Sequence, residues 1–269
     1  MVLGIDVGGS TTKIVGFKDK ERCVGMMQVE AKDQLTSAFG AFGKFTAKHS
    51  LKISDIRQIV LTGVGSSYLH GMYDIPTKRV DEFLAIGLGG LRMATLDSAI
   101  IVSVGTGTAL VRACGTDISH IGGSGVGGGT LQKLAGRFAG ASSFDRITDL
   151  AAQGDLSAVD LQLGDITRAK IGNLPYDTTV SNFGNLKDTA TPADIVRGLI
   201  NMIFESVGMM AVFATLRDNI SDVVLIGSLS VIPQAKEVLD TLSKMYPIKF
   251  HVPEDAIYAT AVGAALSEF

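Results

Sequence analysis

Cysteine is scarce in this chain. Cys23 and Cys114 stand far apart and form no CxxC pair, which argues against a disulfide framework or a zinc site and for a reducing cytoplasm. Positive charge is not in excess: 24 Lys and Arg stand against 27 Asp and Glu, a net charge of −3. That balance gives no electrostatic case for nucleic acid or an anionic membrane as partner. No basic segment precedes Asp6, which falls inside the first apolar stretch, so no secretory signal is expected. Charged residues make up only 19% against 46% hydrophobic, the balance of an apolar-rich globule and not of a disordered chain. At 269 residues it can bury one large core or two joined lobes.

One apolar run imitates a membrane span. "LINMIFESVGMMAVFATL", residues 199–216, contains Asn201 and Glu205 and is barely long enough to cross a bilayer. Ahead of it, Thr191, Pro192 and Asp194 compose the start signal of a soluble helix. A buried core or subunit-interface helix is expected, with its methionines as core filler.

Residues 2–6, 11–17 and 22–29 read as strands joined by tight turns, an antiparallel meander. A helix over 34–49, strands at 59–65 and 77–80, and a helix from Asp81 to about Thr95 follow. At residue 99 the plan restarts. "LGIDVGGSTTKIV" and "IVSVGTGTALV" are each a buried strand, a glycine-hydroxyl turn and a second strand, which points to two similar lobes facing each other. Beyond lie a Gly-rich loop (122–129), helices into 139 and near 145–153, an irregular stretch to 190, and the helix 192–217. Strand 223–227, helix 232–244, strand 248–252 and a helix from about 255 close the chain.

The glycine turns carry the chemistry. Glycine lets backbone N–H groups approach an anion unhindered; serine and threonine add hydroxyl donors, and Lys13 adds a point charge. Asp6 beside bound phosphates would repel them unless a divalent cation such as Mg²⁺ lay between. The pattern is a cradle for nucleotide phosphates and their metal. GxxxxGK[ST] is absent, because Lys13 sits between Thr12 and Ile14. Gly123, Gly125 and Gly128 satisfy GxGxxG, but the hairpin-rich chain before them is no parallel βαβ unit, so a Rossmann site is not expected.

These motifs resemble the actin-like ATPase superfamily, and within it the type II, eukaryotic-like pantothenate kinases. The resemblance rests on Asp6 to Lys13, Glu82-Phe83, Val104 to Thr108, Gly122 to Gly129, Asn182-Phe183-Gly184, Ile226 to Ser228 and the small-residue helix "AIYATAVGAAL". It spans nearly the whole chain. It implies an α/β, two-lobed actin-like ATPase (ribonuclease H-like) fold with duplicated mixed sheets flanked by helices. The lobes would be residues 1–97 and 98–269, the last helix packing back on the first lobe.

The resemblance also implies roles. Asp6, Gly8, Gly9, Ser10, Thr11 and Lys13 would face ATP phosphates, with Asp6 holding Mg²⁺ through water; Thr106 and Gly107 would hold them from the other lobe. Gly127, Gly128, Gly129, Thr130 and Leu131 would lie under the nucleotide, at a helix start whose amides suit anions. Phe144 and Ser228 would border the adenosine, and Glu82 would be the catalytic base, with Asp81 beside it a competitor. His120 stands where the family has a substrate-facing arginine, with Arg112 and Arg137 as candidate replacements. His49, His70 and His251 show no metal spacing. The implied activity is phosphorylation of pantothenate in coenzyme A synthesis by a cytoplasmic homodimer. A kinase for another small alcohol such as an amino sugar, or a nucleotide-binding regulatory protein without turnover, remains open.

Overall fold

The computed structural model describes residues 1–9, 11–30, 33–69, 71–172 and 174–269. β1 (Val2–Val7), β2 (Thr11–Phe17) and β3 (Cys23–Glu30) form the antiparallel meander expected from their apolar runs and glycine turn. α1 (Gln34–Lys48) follows, capped by Asp33, whose carboxylate accepts from Thr36 N at 2.7 Å. β4 (Gln58–Thr62) then runs parallel to β1, and β5 (Thr77–Arg79) parallel to β4. Strand β4 stops at Thr62, three residues short of the expected end, because Val64–Tyr68 winds into a 3-10 turn. The sheet order is β3-β2-β1-β4-β5, and α2 (Glu82–Ala94) leads out of it.

The second sheet repeats the plan. β6 (Ser98–Val104), β7 (Thr108–Cys114) and β8 (Asp117–Ser124) form a second antiparallel meander. Residues 122–124, expected in a loop, are thus the end of a strand. α3 (Gly128–Ala139) and α4 (Phe144–Ala151) follow. The stretch read as irregular holds a small hairpin, β9 (Leu161–Gln162) with β10 (Thr179–Ser181), and one short turn of helix, α5 (Leu163–Ile166). Next come α6 (Pro192–Asp218), β11 (Asp222–Ile226), α7 (Pro233–Met245) and β12 (Lys249–His251). β11 is parallel to both β6 and β12, giving the order β12-β11-β6-β7-β8. The final helix α8 (Ala259–Leu266) starts later than expected, after a 3-10 turn at Ala256–Tyr258.

Two helices lie between the sheets. Ala85 of α2 and Ala261, Val262, Ala264 and Ala265 of α8 pack with Val2, Val15 and Val60 of the first sheet. Ile86 and Leu91 of α2 and Ala259 of α8 pack with Ile101, Val111 and Val224 of the second. α2 and α8 cross almost in backbone contact: a Cβ on Gly89 would fall 1.8 Å from Ala259 O, and one on Gly263 1.8 Å from Ala85 O. Only glycine fits at that approach. Lys78 of β5 is ion-paired with Glu268, so the C-terminus also clasps the first sheet.

α6 begins as its sequence predicts, with Thr191 and Asp194 in a reciprocal capping box and Pro192 at the first position. It is long and apolar enough to cross a membrane by length and composition, an 18-residue stretch of it reaching a mean hydropathy of 1.7. Here Val196, Ile200, Ile203, Phe204, Val207 and Ala211 lie in the core over the second sheet instead.

Candidate active site

Strand alternation decides which side chains of the first hairpin face the other lobe. Leu3, Ile5 and Val7 point toward α1, so Asp6 points to the opposite face, where α8 and α2 pack. Lys13 and Thr62 are its cross-strand partners on β2 and β4 and share that face. Lys13 Nζ lies 4.0 Å from Asp6 Oδ2, and both residues are buried. Burial pushes the Asp6 carboxyl above the usual range, with Lys13 drawing it back down. Thr62 has no counterpart among the sequence-derived candidates. Its only sequence signal is the Thr-Gly pair ending an apolar strand, a pair that the second glycine turn also holds at Thr106-Gly107.

Glu82 opens α2 beside this row. Its carboxyl is half-buried and raised above its ordinary 4.5, first by burial, then by the Asp6 and Asp81 carboxylates, with Lys13 opposing. Asp81 is otherwise engaged: it is the N-cap of α2, accepting from Leu84 N at 3.0 Å. That contact leaves Glu82 as the acid turned to the Asp6 field. Next in the chain, Phe83 stacks on His120, ring centroids 4.0 Å apart and planes 15° from parallel. A bulge in β8 between the partners of Leu110 and Val111 sets the register of His120.

The two glycine turns face each other. A Cβ on Gly9 would lie 3.5 Å from Thr106 Oγ1. The first turn is closed by Gly8 N donating to Thr11 O at 3.0 Å, the second by Gly105 N donating to Gly107 O at 2.9 Å. Ser10, assigned to the first turn from sequence, lies outside the described residues, as does His70. The Gly-rich segment packs under the second turn. There Gly128 N donates to Gly105 O at 2.8 Å and Gly129 N to Thr106 O at 2.9 Å. These amides of α3, expected to meet an anion, hold the hairpin instead. Thr130 Oγ1 donates to Gly125 O at 3.1 Å; the Leu131 side chain is in the core and its N–H donates to Gly127 O at 3.0 Å. Gly127 abuts Gly107.

Phe144 and Ser228 border one cleft of ≈ 360 Å³, with Thr148 and Val231 also on its wall. The Phe144 ring reaches to within 3.5 Å of where a Gly128 Cβ would stand, so the cleft adjoins the Gly-rich segment. Its size is in the range of small-molecule pockets.

Of the two arginines offered in place of the missing one, Arg112 does not share a face with His120. Arg112 is in register with Ser119 while His120 pairs with Val111, so the two side chains leave opposite faces of the sheet. Arg112 is engaged by Asp117 at 2.7 Å and lies 3.9 Å from Asp218. Arg137 is in the last turn of α3, about 13 Å along the axis from that helix's start. The Asn182-Phe183-Gly184 element serves the fold beside α6: Asn182 Nδ2 donates to Glu205 Oε2 at 2.8 Å, and Phe183 N to the buried Asp160 at 2.9 Å.

Among the described residues no three His, Cys, Asp or Glu side chains gather as a metal cage. A cation that keeps most of its waters and takes phosphate oxygens needs only one or two carboxylates. Asp6, with Glu82 in its field, fits that demand.

Comparison with known proteins agrees with this geometry. A family model described as Fumble matches residues 96–265. The type II pantothenate kinase of Staphylococcus aureus is 29% identical over 279 residues, covering 100% of both chains. Among solved structures, the activator of the 2-hydroxyisocaproyl-CoA dehydratase from Clostridium difficile with bound ADPNP superposes with a TM-score of 0.70 at 16% identity, over 99% of this chain and 93% of that one. A ROK family glucokinase from Streptomyces griseus with glucose and AMPPNP gives 0.61 at 13%, over 98% and 97%. The fold is the actin-like ATPase fold.

Proposed function

The chain belongs to the Fumble family, and from that premise we propose that it transfers the γ-phosphoryl group of ATP to the hydroxyl of pantothenate, the opening step of coenzyme A synthesis. The observation that carries this reading is the facing pair of glycine turns, Gly9 against Thr106, over a floor of Asp6, Lys13 and Glu82. ATP would lie with its phosphates between the turns and its adenosine in the cleft beside Phe144 and Ser228. Asp6 would hold Mg²⁺ through water; the ion supplies positive charge to the phosphate oxygens.

The acceptor hydroxyl oxygen attacks the γ-phosphorus, the bond to the bridging oxygen of ADP breaks, and the hydroxyl proton passes to Glu82. A carboxylate whose pKa has been raised is the better proton acceptor near neutral pH. Lys13 and the turn backbones favour the transferring group by charge and position. His120, stacked on Phe83 beside Glu82, would border the acceptor in place of an arginine. The same reading divides the chain into lobes 1–97 and 98–269, and makes the enzyme a cytoplasmic homodimer joined on the second lobe.

The test is product detection by mass spectrometry after incubating the full chain and MgATP with pantothenate, pantetheine and N-acetylhexosamines in parallel. Phosphopantothenate should form, and Glu82→Gln should lower its rate by about 10²- to 10⁴-fold while leaving MgATP affinity in place. Product from a hexosamine alone would replace the acceptor; a fully active Glu82→Gln would remove the base.

A further inference from the structure

The row across the first sheet has one unmatched member. Lys13 and Asp6 face each other as opposite charges. The Thr62 hydroxyl, in register with Asp6, is 1% exposed and has no hydrogen-bond partner among the described residues. A buried hydroxyl left unmet is destabilising, and native interiors rarely keep one without a reason. Valine would fill the same space without that cost. The next residue favours the same spot: Gly63 has φ +84°, and a Cβ there would stand 2.4 Å from Asp6 Oδ1. Strand β4 therefore ends directly against the carboxylate.

The second sheet supplies the contrast. The pair before the last in each hairpin is Asp6 with Lys13 and Ser103 with Ala109. The parallel neighbour of Ser103 is Ile226, which is followed by Gly227 at φ +94°. The same backbone thus carries a buried isoleucine where no charge is handled, and a threonine where it is.

We propose that Thr62 belongs to the transfer site, its hydroxyl kept available to donate to an oxygen that arrives beside Asp6 with the nucleotide and its cation. This rests on the phosphoryl-transfer reading above. Thr12 is the internal control. Its hydroxyl is equally buried and equally without a partner among the described residues, but it pairs with Val7 on the α1 face, opposite Asp6.

The experiment compares the wild-type chain with Thr62→Val, Thr62→Ser and Thr12→Val by thermal melting without nucleotide and by calorimetric titration with MgATP. Thr62→Val should melt at or above the wild type yet bind MgATP about three- to tenfold more weakly, and Thr62→Ser should restore binding. Thr12→Val should melt at or above the wild type and bind MgATP unchanged. Wild-type affinity in Thr62→Val, or a serine that fails to rescue, overturns the proposal. So does a lower melting temperature in Thr62→Val, which would assign the hydroxyl to the fold. A wild-type chain that phosphorylates no acceptor would strike the transferase reading alone, since the binding comparison still decides the role of Thr62.

Discussion

The two sheets are one design used twice, in the orders β3-β2-β1-β4-β5 and β8-β7-β6-β11-β12, and they differ in what they carry. The first hairpin places a buried acid and a buried lysine side by side; the second offers glycines and hydroxyls with no charge, "VGTGT". Between third and fourth strands the first lobe inserts α1, while the second inserts α3, α4, a small hairpin and α6. The duplicated backbone brings two turns tip to tip, and substitution then assigns charge handling to one side. A phosphate held between them, as proposed, would meet a cation and a carboxylate from one lobe and neutral donors from the other, an arrangement that avoids burying two like-charged clusters against each other.

The comparison breaks most completely where the lobes touch. Gly263→Val would drive side-chain atoms into Ala85 O and the Gly89 backbone. It should cost about 3 kcal/mol or more, at or beyond the upper end of ordinary overpacking because backbone must move. Urea unfolding checks this, and an unchanged midpoint would mean the α2–α8 crossing is not what joins the sheets.

A second difference sharpens at the surface. The inserted part of the second lobe presents a long helix, α6, with two of the more exposed large apolar side chains, Phe213 at 63% and Leu216 at 68% exposure. Replacing both by glutamate should convert a dimer to monomer in sedimentation velocity at micromolar concentration. A wild-type chain that sediments as monomer would end the dimer proposal.

The smallest effect concerns the charge placed in the first lobe alone. Glu82 has a raised pKa in the folded chain, so it contributes stability that is full below its unfolded value and lost as pH rises through the folded one. Glu82→Gln should therefore melt about 1–3 °C above the wild type near pH 7.5, the gap closing toward pH 4. A gap that widens on acidification would reverse the sign assigned to Glu82.

Local order could be read from local chemistry. The hairpins, the capping box at Thr191 and the long helix after it follow from alternation, glycine turns and cap residues that act within a few positions of themselves. What failed to show were the bulge that sets the β7–β8 register and the contacts between separate elements. Arg112 looked available for the acceptor until its register with Ser119 turned it to the far face of the sheet. The amides of Gly128 and Gly129 looked open to an anion until the second hairpin took them.

By itself the sequence determined the paired strand-turn-strand units, the acid, lysine and glutamate, and the order of motifs along the chain. Only the tertiary structure decided that Asp6, Lys13 and Thr62 stand in one row and that Asp81 caps while Glu82 faces the site. It alone showed that Thr62 shares the Asp6 face of the first sheet and Thr12 the opposite face. The reason is physical: residue type and spacing set what a segment can form, but which face meets which partner depends on register between strands dozens of residues apart.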